Sequence, residues 1–166
     1  TLASKASVNG HSGSLMFGIQ WDLVQKYIEA KAVTQGTAIG TIQSQLITNS
    51  TSWGNYSSSK YNITNENAQY SMNNGTTWLP SPLDKTSTED ILLTTKASNS
   101  FAKQNIFDLA GNVWEWTLEY SSKASTPCTI RGGSYDSTLA ESKANYRNNG
   151  NTTFSYYSVG FRVTIY

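Results

Sequence analysis

The chain has 166 residues with 12 Lys+Arg against 11 Asp+Glu, a formal charge of +1 and one histidine. One domain's worth of chain at this length buries a core without disulfides, and the basic residues are too scattered to neutralise neighbouring phosphates, so nucleic acid is not an expected partner. The longest apolar run, 91–93, falls far short of the ~20 residues that cross a bilayer, so no direct membrane insertion is expected.

Residues 1–14 are rich in Ser, Gly and Asn without periodicity and read as a flexible arm or linker. Over 19–30 the apolar Ile19, Leu23, Val24, Tyr27 and Ile28 predict a helix with that face on the core, leaving Asp22, Gln25, Lys26 and Glu29 outside. A second helical stretch, 33–46, is interrupted by Gly36 and Gly40. From 48 to 82 the chain reads as loops with short strands, pinned by Trp53, Tyr56, Tyr61, Tyr70 and Trp78 and carrying an Asn74-Gly75 turn signal. Short strands are predicted over 98–107, 113–120, 126–134 and 158–166. The one cysteine, Cys128, falls on the third of these; it has no partner for an internal bridge and reads as an inert core thiol.

Ser, Thr and Asn together supply 58 residues, and 12% of the chain is aromatic. The aromatic content separates it from disordered chains. A Tyr/Ser/Asn surface is what binding loops use, although an Asn-rich, low-GC genome would give the same bias. The five Asn-X-Ser/Thr triplets, at Asn49, Asn55, Asn62, Asn74 and Asn151, are close to the roughly four that chance supplies in this composition and carry no weight.

The stretch NIFDLAGNVWEW, 105–116, places two tryptophans around a glutamate directly after a Gly-Asn pair. A turn there exposes carbonyls, and Asp108 and Glu115 bracket it, so the acids and carbonyls can converge on one hard cation such as Ca²⁺, which takes six to eight oxygens at about 2.4 Å. The alternative is that Glu115 pairs with Arg131 or Arg162 while Trp114 and Trp116 fill the core.

The order DLAGNVWEW (108–116), RGGSYDS (131–137), Tyr146-Arg147 and VGFRV (159–163) resembles the formylglycine-generating enzyme family, also called sulfatase-modifying factor, from about residue 15 to the end. LMFGIQWDLV (15–24) resembles that family's LPTEAEWEYA helix, with Leu15, Trp21 and Asp22 in register. The resemblance implies an α+β chain with the family's variant of the C-type lectin-like fold: short twisted antiparallel strands, one or two helices and long loops over 15–166. In the family that helix lies near mid-domain, so the first half of the usual fold is expected to be missing and this chain, which begins with Thr1, to be a piece of a longer protein. The resemblance also implies the calcium ligands: the Asp108 and Glu115 side chains and the Gly111 and Val113 carbonyls, for a structural ion. The RGGS and GFR segments read as framework, with glycines for close strand approach and arginines for buried pairing.

Oxidase members use copper held by two cysteines after RGGS, and the matching positions here are Ser137 and Ser142. A hydroxyl does not hold Cu(I), which requires soft thiolates. The related iron enzymes use three histidines, and this chain has only His11. Neither copper nor iron is expected, and the chain reads as no enzyme, because no nucleophile has a histidine partner.

Catalytically empty relatives of this fold display a variable surface between RGGS and GFRV, here 135–158. Its Tyr135, Asp136, Asn145, Arg147, Asn148, Asn149, Asn151, Tyr156 and Tyr157 form the expected ligand-binding set, offering aromatic area and amide direction. Two of its features read alternatively as framework, Tyr146-Arg147 as a structural pair and Asn149-Gly150 as a hairpin turn. The expectation is a non-enzymatic recognition module, an adhesin or receptor-binding domain, acting outside a cell or on a virion on a protein or glycan. The alternative is a structural subunit of a cell-surface or virion assembly.

Overall fold

The computed structural model describes residues 5, 9–153 and 155–166. In chain order its elements are β1 (Gly13–Leu15), α1 (Gly18–Thr34), α2 (Ile39–Ile47), β2 (Tyr61–Ile63), β3 (Gln69–Ser71), β4 (Leu79–Pro80), β5 (Leu83–Lys85), β6 (Leu92–Leu93), β7 (Ala102–Lys103), β8 (Ile106–Phe107), β9 (Trp114–Tyr120), β10 (Cys128–Arg131), β11 (Arg147–Gly150), β12 (Val159–Phe161) and β13 (Val163–Ile165), with 3-10 turns at Asn99–Phe101 and Leu139–Glu141. The main sheet runs β11-β10-β9-β12, antiparallel except for the parallel β9–β12 pair. Among the described residues, no helix is long and apolar enough to cross a membrane.

The expected arm over 1–14 ends earlier than its composition suggests. Ser12 exchanges main-chain hydrogen bonds with Tyr166, and β1 pairs antiparallel with β13. Residues 1–4 and 6–8 of that arm lie outside the described residues.

Helix α1 is longer than predicted and turned differently. Its start is closed by the Gln20 side chain, which accepts the Phe17 N–H at 2.8 Å. Its end is a Schellman motif: Thr37 N donates to Ala32 O, Gly36 N donates to Val33 O, and Gly36 takes the left-handed conformation at φ +90°. Gly36 therefore terminates α1, whereas Gly40 sits in the first turn of α2. The buried face is Gly18, Trp21, Gln25, Ile28 and Ala32. Ile19, Leu23 and Tyr27, expected in the core, are 65%, 59% and 46% exposed. The correction has a physical cause: the Trp21 indole, which donates to Ala144 O at 3.1 Å, and Asp22, which binds an arginine of the sheet, set the helix rotation.

Two apolar clusters form the core. Met16, Trp21, Ile28, Ile42, Leu46, Trp53, Tyr56 and Leu109 pack between the helices and the main sheet, and Ile63, Ile91, Leu93 and Phe101 pack beneath β2 to β6. The Asn74-Gly75 turn forms as predicted, with both residues at positive φ, joining β3 to β4. The stretch expected as one strand over 98–107 is a 3-10 turn followed by the β7–β8 hairpin. The terminal strand expected over 158–166 is split into β12 and β13 on either side of Arg162.

Candidate functional site

Strand β9 answers why two tryptophans flank a glutamate. Successive side chains of a strand point to opposite faces. Trp114 and Trp116 lie on one face, where Trp114 packs on Tyr146 with ring centroids 5.8 Å apart and Trp116 underlies β11. Glu115 projects from the other face and is held by Arg162, Nε to Oε2 at 3.0 Å and Nη2 to Oε1 at 2.9 Å.

The face bearing Glu115 is framework. Arg131, fully buried, donates to Asp22 Oδ1 at 2.8 Å and Glu119 Oε2 at 2.9 Å, with its guanidinium over the Trp21 ring at 5.5 Å. Arg147 closes the square on the remaining oxygens, to Asp22 Oδ2 at 2.6 Å and Glu119 Oε1 at 2.8 Å. Two cations and two anions thereby join α1, β9, β10 and β11.

The tryptophan-bearing face opens into a cleft of about 380 Å³. Trp114 and Ile130 line it from the central strands β9 and β10, Val159 from edge strand β12, Asp136, Ser137 and Glu141 from the segment after β10, and Asn148, Asn149 and Gly150 from the other edge strand, β11. Asn151, Tyr156 and Ser158 complete it with Thr126. Gly150 is needed because a β-carbon there would sit 2.4 Å from the Trp116 ring. Asn149 and Gly150 are the last residues of β11, so the hairpin-turn reading of that pair does not hold.

Five of the nine expected ligand residues line this cleft: Asp136, Asn148, Asn149, Asn151 and Tyr156. Tyr157 adjoins it, its ring 4.1 Å from Tyr156 and its hydroxyl donating to the Tyr156 hydroxyl at 2.8 Å. The other three are elsewhere. Tyr135 is buried and donates to Asn74 Oδ1 at 2.7 Å. Burial and then the Asp136 charge hold its phenol above the ordinary tyrosine range. Arg147 belongs to the ion-pair square, and Asn145 lies beside it on the helix side of the sheet. Strand alternation separates Arg147 from Asn148: Arg131 pairs across from Arg147 and Ile130 from Asn148, so the two side chains leave opposite faces. Sequence reasoning missed Glu141, whose exposed helical turn gave no periodic signal, and the framework wall of Trp114, Ile130 and Val159.

The Gly-Asn pair has a structural role. Gly111, at φ +72°, lies against Asn55, where a β-carbon would approach Asn55 O to 2.2 Å. Asn112 Nδ2 donates to Leu93 O and its Oδ1 accepts from Leu93 N, each at 3.0 Å, copying a strand pairing with one side chain. Asn55 Nδ2 donates to the same Asn112 oxygen at 3.0 Å.

The two carboxylates expected to hold calcium have partners within the protein. Both Glu115 oxygens are engaged by Arg162, and Asp108 Oδ2 accepts the Lys96 N–H at 2.9 Å. Burial pushes Glu115 above the ordinary carboxylate range, Arg162 opposes the rise, and the Asp108 charge adds a smaller push upward. The alternative reading, Glu115 paired with an arginine, describes the geometry, and the arginine is Arg162.

Ser137 and Ser142, at the positions matched to the oxidase cysteines, are both buried; Ser137 Oγ accepts the Ser134 N–H at 3.1 Å. Cys128 sits on β10 opposite Gly150 and is not among the cleft-lining residues.

A short-stranded α+β framework with a loop-built cleft on one sheet face defines a C-type lectin-like domain of the formylglycine-generating type. The chain belongs to the sulfatase-modifying factor enzyme 1-like domain family, whose model matches residues 32–165. Among solved structures, Treponema denticola variable protein 1 is similar, at 17% identity and a TM-score of 0.46, over 95% of this chain and 49% of that one. This chain thus spans about half the length of that protein. No curated protein matches it.

Proposed function

We propose that this domain is a non-enzymatic recognition module that binds a macromolecular ligand in the cleft framed by 135–158. The observation that carries this reading is the division of labour in the sheet. One face is tied down by the Arg131–Asp22–Arg147–Glu119 square, and the other holds an open cleft lined mainly by loop and edge-strand residues. A rigid base under adaptable polar and aromatic side chains is the arrangement of binding surfaces. Serines in place of the oxidase thiols support the same reading, since a hydroxyl does not replace a thiolate toward copper. Display outside a cell or on a virion is part of the proposal.

The test is a screen of the purified domain on protein and glycan arrays, repeated with Tyr156→Ala and Tyr157→Ala. Binding that the wild type shows and both variants lose, at unchanged melting temperature, is the expected result. Copper or iron bound stoichiometrically with turnover of a thiol peptide would instead return the domain to the enzymes.

One observation favours the second reading, a structural subunit of a cell-surface or virion assembly. Ile19, Leu23 and Tyr27 form an exposed apolar stripe along the outer face of α1. Concentration-dependent oligomers lost in Leu23→Glu would support it, and a strict monomer would remove it.

A further inference from the structure

Charge is unevenly distributed over this domain. On the framework face the acids are matched: Asp22 and Glu119 by Arg131 and Arg147, and Glu115 by Arg162. The cleft is different. Asp136 and Glu141 both line it, and among the described residues no lysine, arginine or histidine does. The Glu141 carboxylate has no hydrogen-bond or ion-pair partner among the described residues. Asp136 accepts through Oδ1 from the Ser134 hydroxyl and keeps its second oxygen.

The remaining lining narrows the ligand. The asparagines are partly committed to their own backbone: Asn148 Oδ1 accepts from Asn149 N at 2.8 Å, and Asn151 Oδ1 accepts from Thr153 N at 3.1 Å. That reduces the directional amide bonding a neutral sugar needs. Trp114, Ile130 and Val159 provide an apolar wall, which suits a hydrocarbon stem better than a ring bearing hydroxyls on every side. Tyr156 and Tyr157 add exposed aromatic faces, and aromatic faces attract cations.

On the recognition reading above, we propose that the cleft receives the side chain of a lysine or arginine presented by a protein partner. The aliphatic stem lies along the Trp114–Ile130–Val159 wall, and the cationic head meets the Glu141 and Asp136 carboxylates beside the Tyr156 ring. The head group satisfies charges that are otherwise left to solvent, and a charge-assisted hydrogen bond is about twice as strong as a neutral one.

Amide NMR of the isotope-labelled domain tests this with four probes: N-acetyl-lysine methylamide, its arginine equivalent, the uncharged norleucine equivalent, and glucosamine. The lysine and arginine probes are expected to shift the backbone amides of Asn148, Asn149 and Ser158, with norleucine binding about tenfold more weakly or worse, the value of one charged contact of about 1.4 kcal/mol. Glu141→Gln and Asp136→Asn should each erase most of that difference at unchanged melting temperature. Equal binding of norleucine, or shifts confined to the Asp22 and Glu29 groove on the helix side, would overturn the assignment. Glucosamine binding as tightly as the lysine probe would assign the cleft to an amino sugar instead. An array ligand lost in Tyr156→Ala yet indifferent to Glu141→Gln keeps the recognition reading and removes this one. An array ligand retained in both variants removes both.

Discussion

Arg131 and Asp22 are 109 residues apart in the chain and 2.8 Å apart in the fold. The first is wholly buried on the sheet and the second is 40% exposed on α1, so the contact joins helix to sheet at the edge of solvent. Its partner contacts to Glu119 and Arg147 make it the joint on which the rigid face of the domain depends.

Removing that joint is costly. Arg131→Met removes the buried member of a partly exposed ion-pair square; breaking a fully buried pair typically loses about 3–5 kcal/mol, and solvent at Asp22 and Glu119 puts this case at the lower end. A loss near 3 kcal/mol is expected here, because Arg147 remains to neutralise Asp22 and Glu119. Arg131→Lys should recover only part of it, since an ammonium lacks the fork that reaches both acids and the plane that stacks on Trp21. Urea unfolding of both variants measures the difference, and a loss below about 1 kcal/mol would mean the square is ornamental.

Two glycines at similar positive φ make an internal comparison. Gly111→Ala must move Asn55 as well as adopt a strained conformation, and a loss of about 3 kcal/mol or failure to fold is expected. Gly36→Ala, at φ +90° in open space, carries only the conformational cost of about 1–2 kcal/mol. Thermal melts of the pair separate crowding from backbone strain.

Stability is expected to peak in mild alkali. Lys85 is buried, its Nζ donating to Tyr56 O at 2.7 Å, and burial lowers its pKa from 10.5 to about 8 against the opposing charges of Asp90 and Glu89. Between those two values the unfolded chain holds the proton and the folded chain does not, so stability rises with pH through that window. Above pH 10 the sign reverses. Burial holds Tyr56, Tyr61 and Tyr135 protonated in the fold while their unfolded forms ionise, so stability falls. Melting temperatures across this range should rise and then fall in the wild type, and Lys85→Met should lose most of the rise, burial of Lys103 supplying the remainder, while keeping the fall.

Calcium is a direct question for calorimetry. With Glu115 engaged by Arg162, melting in millimolar Ca²⁺ and in a chelator is expected to coincide. A rise of several degrees with Ca²⁺ would show that the ion displaces the guanidinium, because a ligand bound only by the native state must raise its stability.

The α+β class, the Asn74-Gly75 hairpin, β9 and the family motifs were legible in the sequence, because each is dictated by neighbours in the chain: turn chemistry at one dipeptide, alternation along one strand. The 135–158 segment is where the expected ligand set falls, and five of its nine residues line the cleft. What the linear order did not show was which way elements face. Ile19, Leu23 and Tyr27 have the spacing of a core stripe, yet the burial of Trp21 and the pull of Arg131 on Asp22 rotate them outward.

The sequence by itself determined the local elements and the chemistry on offer, since propensity, turn type and residue character act within a few residues. Tertiary structure alone decided which residues share a face. The register of β10 with β11 sends Arg147 to the framework and Asn148 to the cleft, and the meeting of β9 with the chain terminus gives Glu115 to Arg162. Those outcomes rest on contacts between segments far apart in the chain, where packing and charge pairing are settled only once the whole domain has closed.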